Sequence, residues 1–218
     1  MMTAFEFGAT LACSLCVKAP TVMRRALLIV LAAVVATAAS RFPLHDSIAR
    51  GKLADIPSLL ATTDPNAVND NGDTPLLLAA RGNHLAAVKL LLALPATDPN
   101  LGVDGITPLH AAAAEGHADV VAALLAAPHV PVNVNAQDEL LDTALHVAVS
   151  GSRVAVVDAL LEARGLDLSL RNADGQKAVD LAQHNKVAKA MYQRILAATG
   201  DPTLFPERPE FDATVADD

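Results

Sequence analysis

One segment recurs five times along this 218-residue chain, and the recurrence constrains the fold more than any other feature. The copies begin at residues 42, 74, 107, 143 and 177 and read FPLHDSIARGKLADIPSLL, TPLLLAARGNHLAAVKLLL, TPLHAAAAEGHADVVAALL, TALHVAVSGSRVAVVDALL and KAVDLAQHNKVAKAMYQRI. A unit of this length cannot bury its own apolar face, whereas stacked units bury a continuous core. The repetition therefore predicts a solenoid.

Each copy has the pattern of two short helices joined by a turn. Thr can cap the first helix and Pro is tolerated in its first turn, while apolar residues at a spacing of three to four mark the second helix. The turns between copies, NDNGD, GVDGI and RNADGQ, favour tight bends. A glycine with positive φ is expected to end the first helix. The candidates are Gly51, Gly82, Gly116 and Gly151.

These motifs resemble the ankyrin-repeat family over about residues 41–197: the T-P-L-H step, the Gly-His of EGHADVVAALL and the VNAQD at 134–138. The resemblance implies an all-α solenoid of about five helix-turn-helix repeats, with β-turn fingers projecting from one side. It also implies a non-enzymatic module that binds proteins with its finger tips and the concave face of its first helices. The expected repeats cover 41–70, 71–103, 104–138, 139–173 and 174–197.

The sequence departs from the family pattern at several positions. Leu141 replaces the usual finger glycine, so a distorted third finger is expected, and Ala144 replaces the proline of its helix. Phe42 and Lys177 stand where Thr opens the central copies. They mark the first and last copies as capping repeats, which a solenoid needs because its ends face water.

The histidines recur with the repeat, whereas a catalytic or metal site would be unique. A histidine near a helix start can bond backbone groups of the adjoining turn or the next repeat. His45, His110 and His146 are therefore interpreted as structural, although Leu77 interrupts their row. The structural motif positions are Thr74, Pro75, Thr107, Pro108, His110, Gly116, His117, Thr143 and His146.

Composition excludes several classes of function. A formal net charge of −8 argues against nucleic-acid binding. No hydrolase, zincin, Walker or dinucleotide motif is present. Cys13 and Cys16 form a single C-x-x-C without the second pair that a zinc site needs. We therefore expect no enzyme, metal or cofactor, with an enzyme of unrecognised type as the alternative.

Residues 1–38 have the pattern of a secretory leader, with Arg24 and Arg25 before an apolar run that ends in small residues. Met23 is a possible true start. A cleaved leader implies an exported, periplasmic or secreted protein; an uncleaved one, at residues 23–40, implies a membrane-anchored scaffold. Residues 198–218 form an acidic, proline-containing tail, expected to be partly disordered.

The resemblance places the partner-binding positions on finger tips and inner-helix ends. A mostly acidic set with apolar tips would complement a basic or amphipathic protein. Ile106 and Leu140 are the candidate anchors, unless they pack on the neighbouring finger. Some exported relatives of this layout support stress defence or neutralise toxins. The expected positions are Asn71, Asp73, Arg81, Val103, Asp104, Ile106, Glu115, Glu139, Leu140, Asp142, Ser150, Asp174 and Gln176.

Overall fold

The computed structural model describes residues 41–182 and 194–195. The expected leader, both cysteines, the proline-containing tail and most of the fifth repeat's second helix lie outside these residues. The repeats belong to one compact unit that begins at residue 44.

Short helices alternate along the described chain in inner and outer positions. The inner helices are α1 Pro43–Ala49, α3 Pro75–Arg81, α5 Pro108–Glu115, α7 Ala144–Ser150 and α9 Ala178–Ala182. The outer helices are α2 Ile56–Leu60, which follows a 3₁₀ turn at Leu53–Asp55, then α4 Leu85–Leu92, α6 Ala118–Leu125 and α8 Val154–Leu161. The described residues contain isolated bridges but no strand, so the predicted all-α solenoid is confirmed.

The helices stack in two layers. In one layer α3 contacts α5, α5 contacts α7 and α7 contacts α9, and in the other α4, α6 and α8 stack in the same order. Fully buried alanines, such as Ala80 and Ala113, line the inner layer. Their small side chains let successive helices approach closely. One apolar cluster extends from Leu44 to Val179, so each repeat depends on its neighbours for its core.

Threonine side chains begin the central inner helices. Thr74 accepts a bond from the Leu77 N–H at 3.1 Å, in the first turn that also holds Pro75. Thr143 accepts a bond from the His146 N–H at 3.4 Å, while the His146 ring accepts one from the Thr143 N–H at 3.2 Å. This reciprocal capping box lets α7 begin without a proline.

The glycine prediction for the helix ends is correct at two positions and wrong at two. Gly51 and Gly116 have φ of 66° and 86°, but Gly82 and Gly151 have φ of −82° and −79°. In those repeats the glycine stands one position earlier, eight residues after Thr74 or Thr143, and the left-handed residue is the next one, Asn83 (57°) or Ser152 (56°).

Gly82 is important for the space that its missing side chain leaves, and not for its backbone conformation. A Cβ built there would lie 2.8 Å from ring atoms of His84, so a larger residue would displace that ring. The observed position of the His84 ring therefore depends on the missing side chain of Gly82, whereas a positive φ plays no part.

Asparagines join the loops of successive repeats. The Asn66 amide bonds the Ala96 carbonyl at 2.7 Å and the Asp98 N–H at 2.9 Å. Asn100 and Asn135 bond the next loop in the same two-bond manner. We call these three residues the asparagine ladder. Each clamp satisfies two backbone groups that no helix can satisfy.

Within the described residues, the ladder ends in the fourth repeat, where Ser169 holds the equivalent position. The Ser169 bonds seen in this part of the chain run to the nearby Asp167, through its N–H at 2.8 Å and its hydroxyl at 2.6 Å. These two bonds lower the pKa of the Asp167 carboxyl.

Residues 194 and 195 also belong to the stack. Ile195 is 1% exposed and lies in the apolar cluster, and Arg194 forms an ion pair with Asp158 of α8. No helix within the described ranges is long and apolar enough to cross a membrane.

Candidate functional site

Four turns, here called fingers, precede the inner helices: the first at 69–73, the second at 102–106, the third at 138–142 and the fourth at 172–176. In the first finger, the Asn69 N–H donates to the Asp73 carbonyl at 3.1 Å, and the Gly72 N–H donates back to the Asn69 carbonyl at 3.0 Å. The Asn69 side-chain oxygen accepts the Asn71 and Asp73 N–H groups, both at 2.9 Å. A residue with positive φ, here Gly72 (81°), completes the turn.

The third finger has the same geometry, so the prediction that it is distorted is wrong. The Asp138 side chain accepts the Leu140 and Asp142 N–H groups at 2.9 Å, and Leu141 takes the glycine position with φ of 58°. The left-handed region costs an L-residue about 1–2 kcal/mol. The hydrogen bonds of the turn outweigh that cost. Leu141 therefore adopts a strained backbone conformation and the turn keeps its shape.

The second finger departs from the geometry of the first and third fingers. Gly102 occupies the position of Asn69 and Asp138, so no side-chain oxygen collects the backbone N–H groups. The turn tightens instead, with positive φ at both Asp104 (53°) and Gly105 (75°) and a bridge between Val103 and Ile106. A Cβ at Gly102 would lie 1.9 Å from the Ile106 carbonyl oxygen. The missing Asn or Asp at this position was the signal in the sequence.

Successive fingers contact one another. A Cβ at Gly72 would lie 2.8 Å from a Val103 methyl carbon, and one at Gly105 would lie 2.7 Å from the Asp138 Cα. Between the third and fourth fingers, the Ala173 N–H donates to the Leu140 carbonyl at 2.8 Å. The four fingers therefore form a continuous row.

The buried histidines tie each inner helix to the finger of the next repeat. His110 Nε2 lies 3.0 Å from the Asp142 carbonyl, and the Thr107 N–H donates to His110 Nδ1 at 3.3 Å. A carbonyl can only accept and a backbone N–H can only donate. The ring is therefore the neutral tautomer with its proton on Nε2.

His45 and His146 make the corresponding bonds to the carbonyls of Asp73 and Gln176, at 3.0 and 3.1 Å. Burial lowers the pKa of His110, and the bond to the Asp142 carbonyl opposes that effect only in part. The bond from the Thr107 N–H requires a neutral ring, because a protonated Nδ1 could not accept it. These rings are held by the stack and are not presented to a substrate.

Outer-helix residues make a second set of contacts, directed toward the preceding repeat. His117 Nε2 lies 3.1 Å from the Arg81 carbonyl, and Arg153 Nε donates to the Ala114 carbonyl at 3.0 Å. Both acceptors lie at the C-terminal end of an inner helix, where carbonyls lack partners within the helix. The motif residues of the repeat thus serve its stacking.

The structure places most of the expected partner-binding residues at the surface. The exposed ones are Asn71, Arg81, Asp104, Glu115, Glu139, Leu140, Ser150 and Asp174. The half-buried ones are Val103, Ile106, Asp142 and Gln176.

Asp73 differs from the rest because it is only 5% exposed. Its carboxylate lies 3.2 Å from an Arg81 guanidinium nitrogen. The carboxylate is therefore engaged within its own repeat.

Of the two candidate anchors, Leu140 is 63% exposed, while Ile106 is half-buried. Leu141, which replaces the usual finger glycine, is 47% exposed beside Leu140. The signal for it was two adjacent leucines in a turn that is otherwise polar.

Within the described ranges, no three His, Cys, Asp or Glu side chains are arranged to hold a metal ion. The chemistry available at the finger row is that of carboxylates, amides and apolar tips. Such groups bind by ion pairing, hydrogen bonding and apolar contact.

Comparison with known proteins gives two matches to families of ankyrin repeats. Residues 44–138 match the three-copy description and residues 125–182 match the many-copy description. The mouse protein "Ankyrin repeat and SOCS box protein 11" is 30% identical over 164 residues, which cover 74% of this chain and 38% of that protein. The chain thus spans well under half the length of that relative.

Proposed function

We propose that this chain, which belongs to the ankyrin-repeat family, binds a partner protein across its row of fingers. Ankyrin repeats generally mediate protein–protein interaction, and the family is typically non-enzymatic. One observation supports the proposal most directly. The recurring Thr and His side chains bond inside the stack, whereas the residue at the third position of each finger, which varies between Asn, Asp and Leu, is exposed in all four fingers.

The partner's binding surface is basic or amphipathic. The exposed acids of the finger row and inner-helix ends are Asp70, Asp104, Glu115, Glu139 and Asp174, and Arg81 is already paired to Asp73. A surface of this sign attracts cationic groups and speeds their encounter. Exposed Leu140 adds apolar area, which a purely electrostatic surface would lack.

Site-specific photocrosslinking tests this proposal. A photoreactive residue replaces Asn71 or Leu140 on the fingers, or Glu162 after the outer helix α8 as a matched exposed control. We expect one partner to crosslink at both finger positions and weakly at 162. Crosslinking at 162 that equals or exceeds crosslinking at the fingers would refute binding through the finger row.

The compartment is a separate part of the proposal. The charged and apolar pattern of residues 24–38 supports export with removal of the leader, and membrane anchoring through residues 23–40 is the rival. Intact mass and fractionation distinguish them. A mature chain starting near residue 39 in the extracytoplasmic fraction supports export, whereas a chain retaining residues 23–38 in the membrane fraction supports anchoring.

A further inference from the structure

The third finger contains a carboxylate oxygen that the stack does not use. Oδ1 of Asp142 is buried and has no hydrogen-bond partner among the residues that the structure describes. The backbone of the same residue is fully engaged, with its N–H bonded to Asp138 and its carbonyl bonded to His110. A buried acceptor without a partner is costly, so rotation of this half-buried carboxylate toward a donor at the surface would be stabilised.

The first finger shows what this position accepts. Asp73 precedes Thr74 as Asp142 precedes Thr143, and Asp73 is paired with a guanidinium. Arg81 NH2 lies 3.2 Å from Asp73 Oδ1, and Arg81 NH1 lies 3.4 Å from Oδ2. The fold thus has room for a two-point pair between carboxylate and guanidinium beside a finger.

The fourth repeat has no arginine at the corresponding position. Arg81 follows Thr74 by seven residues, and the residue seven after Thr143 is Ser150, which is exposed at the end of α7. Serine carries no charge. Asp142 forms no ion pair with any described residue, so it keeps the carboxylate and lacks the cation that the first finger has.

The other charges near the third finger leave it negative. Asp138 and Glu139 lie in the same finger, and Asp174 lies in the next. The His110 ring facing Asp142 is the neutral tautomer. Arg171, which precedes the fourth finger, donates to the Gly175 carbonyl of that finger.

An apolar pair lies beside the carboxylate. Leu140 and Leu141 are 63% and 47% exposed, and the turn fixes their backbone. Asp138 holds the Leu140 N–H, the Ala173 N–H holds the Leu140 carbonyl, and the Gln137 amide holds the Leu141 carbonyl at 2.6 Å. A pre-organised apolar contact loses little freedom on binding.

We propose that the third finger binds an arginine of the partner protein, with the guanidinium on Asp142 and an adjacent apolar side chain on Leu140 and Leu141. This inference rests on the proposed function and narrows it to one finger and one partner chemistry. Arginine suits the position better than lysine because its planar fork makes two parallel bonds to a carboxylate and is more weakly hydrated.

A test within the chain comes first. Ser150→Arg restores the arrangement of the first finger, and we expect it to raise the thermal midpoint. Asp142→Asn should remove that gain in the double variant, which also controls for any general benefit of a cation at a helix C-terminus. An equal gain with and without the Asp142 carboxylate would overturn the geometry.

A binding test uses a random dodecapeptide library displayed on phage and panned on the full chain. We expect enriched peptides to carry an arginine next to an apolar residue. Binding should fall at least tenfold on Asp142→Asn and on Ser150→Arg, and stay unchanged on Asp119→Asn, an exposed acid of the outer helix α6.

The outcomes separate the two proposals. Peptides that crosslink to the fingers but lack arginine, or that ignore the Asp142 change, overturn this inference and leave the finger row as the binding surface. Peptides that crosslink to the outer helices, or the absence of any enriched peptide, count against both.

Discussion

Replacing His110 by leucine tests whether the recurring histidine holds successive repeats together. Leucine preserves most of the buried volume, and Leu77 already occupies the same place in the second repeat. The change removes the 3.0 Å bond to the Asp142 carbonyl and the 3.3 Å bond from the Thr107 N–H. The Thr107 N–H then loses its partner, whereas the Asp142 carbonyl keeps its bond from the Asp138 N–H at 3.0 Å.

The expected cost follows from the loss of those two bonds. The buried Thr107 N–H left without its partner costs about 1–3 kcal/mol, and one bond lost from a carbonyl that keeps another costs about 0.5–1.5 kcal/mol. With a small gain from the added apolar side chain, we expect a net loss of about 2–3 kcal/mol. For a chain of this size that lowers the thermal midpoint by about 5–10 °C.

His117→Leu is the matched control, because it makes the same chemical change at a less buried site. His117 makes a single exposed bond, 3.1 Å from the Arg81 carbonyl, so its loss should cost less than about 1 kcal/mol. Urea unfolding of the three proteins measures the difference. Equal stability of wild type and His110→Leu, within about 0.5 kcal/mol, would refute the assigned role.

The pH dependence gives a second readout of the same ring. Burial lowers the pKa of His110 below 6.5 in the folded chain, so the unfolded chain binds the proton more readily. The contribution of the neutral His110 ring to the free energy of unfolding is therefore complete above pH 6.5. It is lost as the pH falls from 6.5 toward the pKa of the ring in the folded chain. We expect His110→Leu to show a shallower loss than wild type between pH 7 and pH 5, and parallel curves would contradict the assignment.

Three further substitutions test the fingers and the loops. At Leu141, glycine should be more stable than alanine by about 0.5–1 kcal/mol, the reverse of their order in a helix, because the left-handed backbone penalises any Cβ. Asn100→Ala should cost about 1–2 kcal/mol through its two bonds to the next loop, whereas Ser169→Ala, the same truncation where the ladder ends, should change stability by less than about 0.5 kcal/mol. Gly105→Ala should cost more than about 2 kcal/mol, because its φ of 75° and the 2.7 Å approach to the Asp138 Cα both exclude a Cβ.

Chemical unfolding measures all three, and hydrogen exchange localises the ladder effect. The Asn133 N–H, which bonds Asn100 at 2.7 Å, should lose protection in Asn100→Ala and keep it in Ser169→Ala. Alanine more stable than glycine at Leu141 would mean that the backbone there is not held left-handed. A tolerated Gly105→Ala would mean that the second and third fingers do not pack closely.

The stacking of this chain was predictable because it depends on a repeated pattern. The period placed every inner helix, and the recurrence of His110 and His146 indicated a structural role before any bond was visible. The asparagine ladder was equally regular in sequence at residues 66, 100 and 135. It was overlooked because asparagine in a loop suggests a local turn more readily than a link to the next repeat.

The finger details were not predictable from the pattern alone. Leu141 suggested distortion, yet the Asp138 side chain keeps the turn closed. Gly102 gave no indication of an altered turn, yet it lacks the side-chain oxygen that accepts the backbone N–H groups in the other fingers. In both cases the side chain at the first position of the finger decides the backbone conformation of the later positions. The residue type at a single later position therefore does not predict the shape of the turn.

Apart from the Arg194–Asp158 pair, the described hydrogen bonds between one repeat and the next end on main-chain atoms. His110 contacts a carbonyl, and Asn100 contacts one carbonyl and one N–H. Every residue type except proline offers both groups. Exposed finger side chains such as Asn71 and Glu139 can therefore be exchanged without altering these links, so binding specificity can change during evolution with little loss of stability.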